Sequence, residues 1–346
     1  MNLETQFIAI CKSGNLEEAQ QYLLKNPTIN ILENNEQAFL NACFSGHLLV
    51  AQWLLSVKPD INISEYDEEA FRKACLNGHL SVAQWLLSVK PAINISANNE
   101  LAFHYACFKG HLEVAQWLLT IKPNINISAN EEFAFRYACG NNHLSVAQWL
   151  LSVKPNINIS AYDEEAFRYA CWGGHLLVAQ WLLSVKPDIN ISAHNETAFR
   201  NACLNGHLLV AQWLLSVKPD INISANNDSA FRNACFQNHL LVAQWLLSVK
   251  PDINISANNE EVFRYACLKG HLLVAQWLLE LKPNLYVILY NDNGSYKGYY
   301  IRSKEEARWE QRKYLVWLAS DQSPNKKSLF YRMPQDVSRY IISNYL

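Results

Sequence analysis

No stretch of this 346-residue sequence approaches the ~20 consecutive apolar residues that a membrane-spanning helix needs, so no segment is expected to cross a bilayer. No secretion leader is expected either. The opening MNLETQFIAICKSG has no basic segment followed by a long apolar run. Positive charge is not in excess either: 29 Lys and Arg stand against 31 Asp and Glu, a formal net charge of −2. No global field therefore draws the chain to nucleic acid or to an anionic membrane surface. G-x-S-x-G, a phosphate-cradling Gly-rich loop and a dinucleotide fingerprint are all absent. The chain accordingly reads as non-catalytic and without a cofactor. Nine cysteines without a leader read as reduced thiols, which places the chain in the cytoplasm, with the nucleus also open.

What is present is half hydrophobic, 50% of all residues, enough for a sizeable core. Length alone would suggest about two ordinary domains, but internal repetition takes precedence. His47, His79, His111, His143, His175, His207, His239 and His271 recur every 32 residues. The nine cysteines, Cys11 to Cys267, keep the same spacing, as do the tryptophans from Trp53 to Trp277. Within AFRYACWGGHLLVAQWLLSVKPDINIS (Ala166–Ser192), Cys171 and His175 could pass for a metal or catalytic pair. A reactive centre needs its residues once, whereas a scaffold needs them in every repeat, so this pair is read as architecture.

Each repeat parses into a short first helix, a turn and a second helix. In the first helix, Ala166, Phe167, Ala170 and Cys171 make an apolar stripe at helical spacing. Asn35, Asp67, Asn99, Asp163, Asn195, Asn227 and Asn259 fall where an N-cap would accept a first-turn N–H. The turn, GGH or NGH, uses glycine to reach positive φ. In the second helix, Val178, Trp181, Leu182 and Val185 share a stripe, and Pro187 ends the helix. Neither helix can bury its apolar face alone, so neighbours must stack. The expected architecture is all-α: a solenoid of about nine helix-turn-helix units with extended connecting loops. Residues 1–33 form a degenerate N-terminal cap and 34–289 hold eight full repeats.

Acidic and basic residues recur four apart at Glu68 and Arg72, Glu132 and Arg136, Glu164 and Arg168, Glu196 and Arg200, Asp228 and Arg232, and Glu260 and Arg264. On a helix surface each such pair contributes ~0.2–0.5 kcal/mol, so the arginine row is expected to be a structural ladder. A phosphate-binding stripe is the alternative, and the neighbouring acids weaken it. Structural zinc needs four ligands. Stacked helices ~8–10 Å apart do not bring two Cys–His pairs onto one ion, and a disulfide ladder needs Cα atoms within ~7 Å. Each cysteine is therefore expected to be a small buried hydrophobe, with no metal bound.

GHLEVAQWLLTIKPNINIS (Gly110–Ser128) resembles the ankyrin repeat, and the similarity covers about residues 1–289. The expanded tandem style is similar to ankyrin families of giant DNA viruses and their amoebal hosts, which would mean host cytoplasm for a viral chain. Departures are a period of 32 in place of 33, a missing T-P-L-H motif with EEAFR or a relative in its place, and K-P-D for G-A-D. The resemblance implies a right-handed array, a structural role for the recurrent histidine, and partner binding on the concave face formed by first helices and loops. Three columns vary there. The column after the arginine includes Tyr105, Tyr137, Tyr169 and Tyr265. The column after the cysteine includes Phe108 and Trp172, and the loop column includes Tyr66, Tyr162 and His194. These are the candidate contacts for a protein partner, because Tyr and Trp are enriched among interface hot spots. The alternative is that the aromatics fill gaps between repeats. A monomer is expected.

After Pro283 the period breaks. NLYVILYNDNGSYKGYYIRS reads as a β-hairpin-like finger turning at Asn293-Gly294, and residues 290–320 are expected to hold this hairpin and a capping helix. Residues 321–346 are read as a polar linker and a short helix. The segment MPQDVSRYIISNYL is similar to the opening helix of F-box and pox-type C-terminal motifs. That resemblance implies binding to an adaptor of cullin ubiquitin ligases through Pro334, Asp336, Val337, Ile341 and Leu346. The alternative role for this segment is a plain packing helix.

Overall fold

The computed structural model describes residues 2–282, 289–290 and 296–297. Among these residues 18 α-helices form nine pairs, from Leu3–Ser13 with Leu16–Lys25 to Ala257–Lys269 with Leu272–Leu281. The described residues form two compact bodies that divide between Ala193 and His194. Repeats one to six lie in the first body, and repeats seven to nine begin at its boundary. Leu289–Tyr290 pairs antiparallel with Tyr296–Lys297. The turn between these strands, the capping helix and residues 333–346 lie outside the described residues.

The periodic stripes become the core. In repeat six Ala166, Phe167, Ala170 and Cys171 are essentially inaccessible, as are Val178, Ala179 and Leu182 of the second helix. Val185, expected on the same stripe, is 40% exposed because the helix leaves the core in its last turn. Repeats join through a recurrent ring contact. Phe135 of repeat five meets Trp181 of repeat six at 6.1 Å, as Phe71 meets Trp117 and Phe103 meets Trp149. Full burial of one such phenylalanine contributes ~1.5–3 kcal/mol.

The turn glycine has two reasons to be glycine. At Gly78 φ is +76°, and a Cβ would lie 2.5 Å from Nδ1 of His111 in the next repeat. The recurrent histidine lies over that glycine and ties repeats together. His79 Nε2 bonds the Phe44 carbonyl at 3.0 Å, and His175 Nε2 bonds that of Gly140 at 3.1 Å. This is the structural role that the family resemblance implied.

The start of each first helix departs from expectation. Asp67, Asn99, Asp163, Asn195 and Asn227 do not cap it. They sit in the left-handed region, φ +53° to +59°, in the middle of three consecutive residues of that conformation. No side-chain cap bond forms at the preceding Ser64, Ser96, Ser160 or Ser224. Asn and Asp suit the left-handed region as well as they suit an N-cap, which is why their identity misled.

This turn also overturns the expected Glu–Arg ladder. The third left-handed residue is Glu68, Glu100, Glu132, Glu164, Glu196 or Glu260, and all six are buried. In repeat six Glu164 Oε2 accepts from Ser160 Oγ at 2.7 Å, and Oε1 accepts the Asn190 N–H of the following loop at 3.3 Å. The same rung joins Glu68 to Asn94 at 3.2 Å and Glu132 to Asn158 at 3.2 Å. The arginine, freed from that pairing, folds back on the turn. Arg168 Nε donates to the Asp163 carbonyl at 2.8 Å and Nη2 to that of Tyr162 at 2.7 Å. Arg72 and Arg200 do the same for their own turns. These contacts serve the carbonyls that a left-handed turn leaves without helical partners.

Candidate functional site

The variable columns come together on the first-helix face of repeats four to six. Tyr137, half-buried, is the hub there. Its ring lies 4.3 Å from Phe133, 5.8 Å from Phe108 and 5.8 Å from Tyr169. Tyr169 can approach because residue 140 is glycine, where a Cβ would meet the Tyr169 Cβ at 2.9 Å. Tyr105 and Phe108 are half-buried, and Lys109 Nζ lies 5.2 Å over the Phe108 ring. Trp172 is 52% exposed, and among the described residues no ring or cation contacts it.

The turn tips carry the loop column. Tyr66 and Tyr162 are 50% and 52% exposed, at φ +48° and +53°. A bulky residue is poorly suited to this conformation, and Asn98 and Asn130 hold the same place in neighbouring repeats. Tyr162 has a contact that offsets part of the cost, because the Arg136 guanidinium lies 4.3 Å from its ring centroid. Arg136 is buried, ion-paired to Glu165, and bonded to the carbonyls of Glu131 and Asn130. In the second body His194 is an exposed tip residue at φ +54°. Tyr265 packs on Phe236 at 4.4 Å with Lys269 5.6 Å over its ring. The candidate tyrosines thus fall into two groups: Tyr137, Tyr169 and Tyr265 pack between repeats, while Tyr66 and Tyr162 of the turn tips reach solvent, as does Trp172.

One residue of this region carries a signal that sequence reasoning missed. The arginine column has histidine at 104, and His104 is 1% exposed. Its ring lies 5.3 Å from Phe133, its Nε2 has no partner among the described residues, and no side chain there bonds the carbonyl of Asn98 or Asn99. Burial, opposed by nearby Glu100, pushes its pKa down to about 4, so the ring is neutral near pH 7. The available clue was the histidine in a column that holds arginine at 72, 136, 168, 200, 232 and 264.

All nine cysteines are free, and burial raises every thiol pKa, that of Cys11 to about 12. A thiol in this state is not a nucleophile. Among the described residues no group of three or more His, Cys, Asp or Glu could hold a metal, and no helix is long and apolar enough to cross a membrane.

Comparison with known proteins gives one family. A family model described as ankyrin repeats (3 copies) matches residues 63–131, 103–195 and 199–288. Proteins with this repeat are generic protein–protein interaction modules. No curated protein sequence matches closely enough to count as a relative. Among solved structures, the chain is similar to the human ASB11 ankyrin repeat domain, with 18% identity over 61% of this chain and 97% of that one and a TM-score of 0.46. It is also similar to an ankyrin repeat family protein from Legionella pneumophila, with 22% identity, 79% and 85% coverage and a TM-score of 0.40.

Proposed function

The chain belongs to the ankyrin-repeat family, and from that premise we propose that it is a non-catalytic scaffold that holds a protein partner on the first helices and turn tips of repeats four to six. The observation that carries this reading is where the large rings go. Trp172 and Tyr162 stand more than half exposed in columns that vary from repeat to repeat, while the recurrent Phe, Ala and Cys are buried. Nothing in the packing requires a tryptophan at 172, since leucine stands there in repeats three and seven, at Leu76 and Leu204. The test exchanges Trp172→Leu and Tyr162→Asn, residues that other repeats carry at those positions. The double variant should melt like the parent and lose its partner in affinity capture. An unchanged set of captured proteins overturns the reading. Nine free thiols favour a reducing compartment, cytoplasm or nucleus.

The ligase-adaptor role rests on the sequence similarity of residues 333–346 alone. Deletion of Met333–Leu346 should abolish co-purification with a cullin adaptor, and failure of the full chain to associate ends that reading.

A further inference from the structure

Resting on the interaction-face reading above, we infer that the face of repeats four to six takes a basic segment of a protein, one Lys or Arg side chain lying on the Trp172 ring and a second reaching the acidic turn tips.

Three observations converge on this. The first is that rings on the first helices of repeats two to six already take cations, supplied by the chain itself. Lys73 lies 5.8 Å over Phe44, Lys109 5.2 Å over Phe108, and Arg136 4.3 Å over Tyr162. Trp172 is the exception. Gly173 follows it where Lys109 follows Phe108, and no cation of the described residues covers it. Tryptophan offers a cation the most favourable π face of any side chain.

The second is charge. Residues 1–193 carry 18 Asp and Glu against 12 Lys and Arg. The arginines near the face are committed within it, Arg136 to Glu165 and two carbonyls, and Arg72 and Arg168 to two carbonyls each. An acidic partner would meet repulsion from this body. An apolar one would desolvate tip carboxylates without replacing their water.

The third is spacing. Glu131 and Asp163 are the exposed middle residues of consecutive tips, where Asn99 stands in repeat four and Asn195 in repeat seven. Asp163 lies in the left-handed turn that opens the first helix, and the regular helix from Glu165 to Trp172 then spans about 10 Å at ~1.5 Å per residue. Four residues of extended chain at ~3.3 Å cover that distance and the turn before it. The chemistry recognised is therefore two basic side chains about four residues apart in an extended segment.

The experiment uses the full chain and three short synthetic peptides in one Ser-Ala background, with two arginines four residues apart, two leucines, or two glutamates. The readout is the Trp172 indole N–H resonance, assigned as the one missing from Trp172→Leu. It should shift with the arginine peptide and not with the others, and the effect should weaken as salt rises. Trp172→Leu should bind the arginine peptide about tenfold more weakly, whereas Trp172→Tyr keeps a π face and most of the affinity. An indole resonance that does not move, a leucine peptide that binds as well, or equal affinity in Trp172→Leu overturns the inference. Should the arginine peptide fail while Trp172→Leu with Tyr162→Asn still loses a captured protein, the basic-segment inference falls and the interaction face stands.

Discussion

Asp228 offers the sharpest test of how the repeats are joined. It stands where seven other described repeats, from Glu36 to Glu260, have glutamate and is one methylene shorter. Its carboxylate still accepts from Ser224 Oγ, but the Asn254 N–H donates to no side chain among the described residues. The amides of Asn94, Asn126, Asn158, Asn190 and Asn222 each bond a glutamate at 3.2–3.5 Å. Asp228→Glu adds about 1.5 Å of covalent reach, enough to restore the rung. A hydrogen bond to a charged group is worth ~1.5–3 kcal/mol. Ordering the longer side chain takes back up to about 1.5 kcal/mol, which leaves a net gain of about 1 kcal/mol. The reverse change, Glu164→Asp, should cost about 1–2 kcal/mol by the same bond. The rung is one bond between two neighbouring repeats of a long array, so it is read best by a local probe. Native-state hydrogen exchange reads the two amides directly. Asn254 should exchange about fivefold more slowly in Asp228→Glu, and Asn190 faster by at least as much in Glu164→Asp. If both amides are indifferent to both substitutions, the buried carboxylates do not join the repeats.

Three further outcomes follow from the same geometry. Burial, reinforced by neighbouring histidines, holds His79, His111, His143 and His239 below the ordinary 6.5. The folded chain favours the neutral rings, so their stabilisation is present above pH 6.5 and is lost as pH falls below it. The urea midpoint should decline as pH falls below 6.5, and a level midpoint would contradict the histidine assignment. Tyr137→Ala should cost about 1–3 kcal/mol, less than the ~3–5 kcal/mol of Phe135→Ala, whereas Trp172→Leu should stay within about 0.5 kcal/mol. Denaturation that ranks Trp172 with Phe135 would mean that Trp172 is core. The buried thiols should resist an aromatic disulfide reagent in the folded chain and react together on unfolding, and rapid native labelling would contradict their burial.

The core was legible because its signal repeats. Phe167, Ala170 and Cys171 recur at fixed spacing, and helical geometry alone then sends them to one face. The left-handed turn was not legible. Asn and Asp favour an N-cap and a left-handed residue alike, and only backbone coordinates separate the two. That ambiguity propagated to Glu164 and Arg168. Four apart on a regular helix they would pair, but Glu164 has φ +64°, so its side chain turns toward the next repeat and Arg168 turns to the carbonyls. The aromatic face was legible as composition, through Tyr137, Tyr169 and Trp172, but not as packing. The contacts of Tyr137 with Phe133 and Phe108 depend on the register between repeats, and the closeness of Tyr169 depends on Gly140.

The claim at the centre is that function resides on the variable first-helix face and not on the outer helices. Leu177, 69% exposed on the second helix of repeat six, gives a built-in comparison, being an apolar surface residue of the same repeat. A photoreactive residue placed at 172 in one chain and at 177 in another allows the two faces to compete for the same partner in cell extract. A discrete adduct at 172 with none at 177 is the predicted result, and an adduct at 177 with none at 172 would contradict the account.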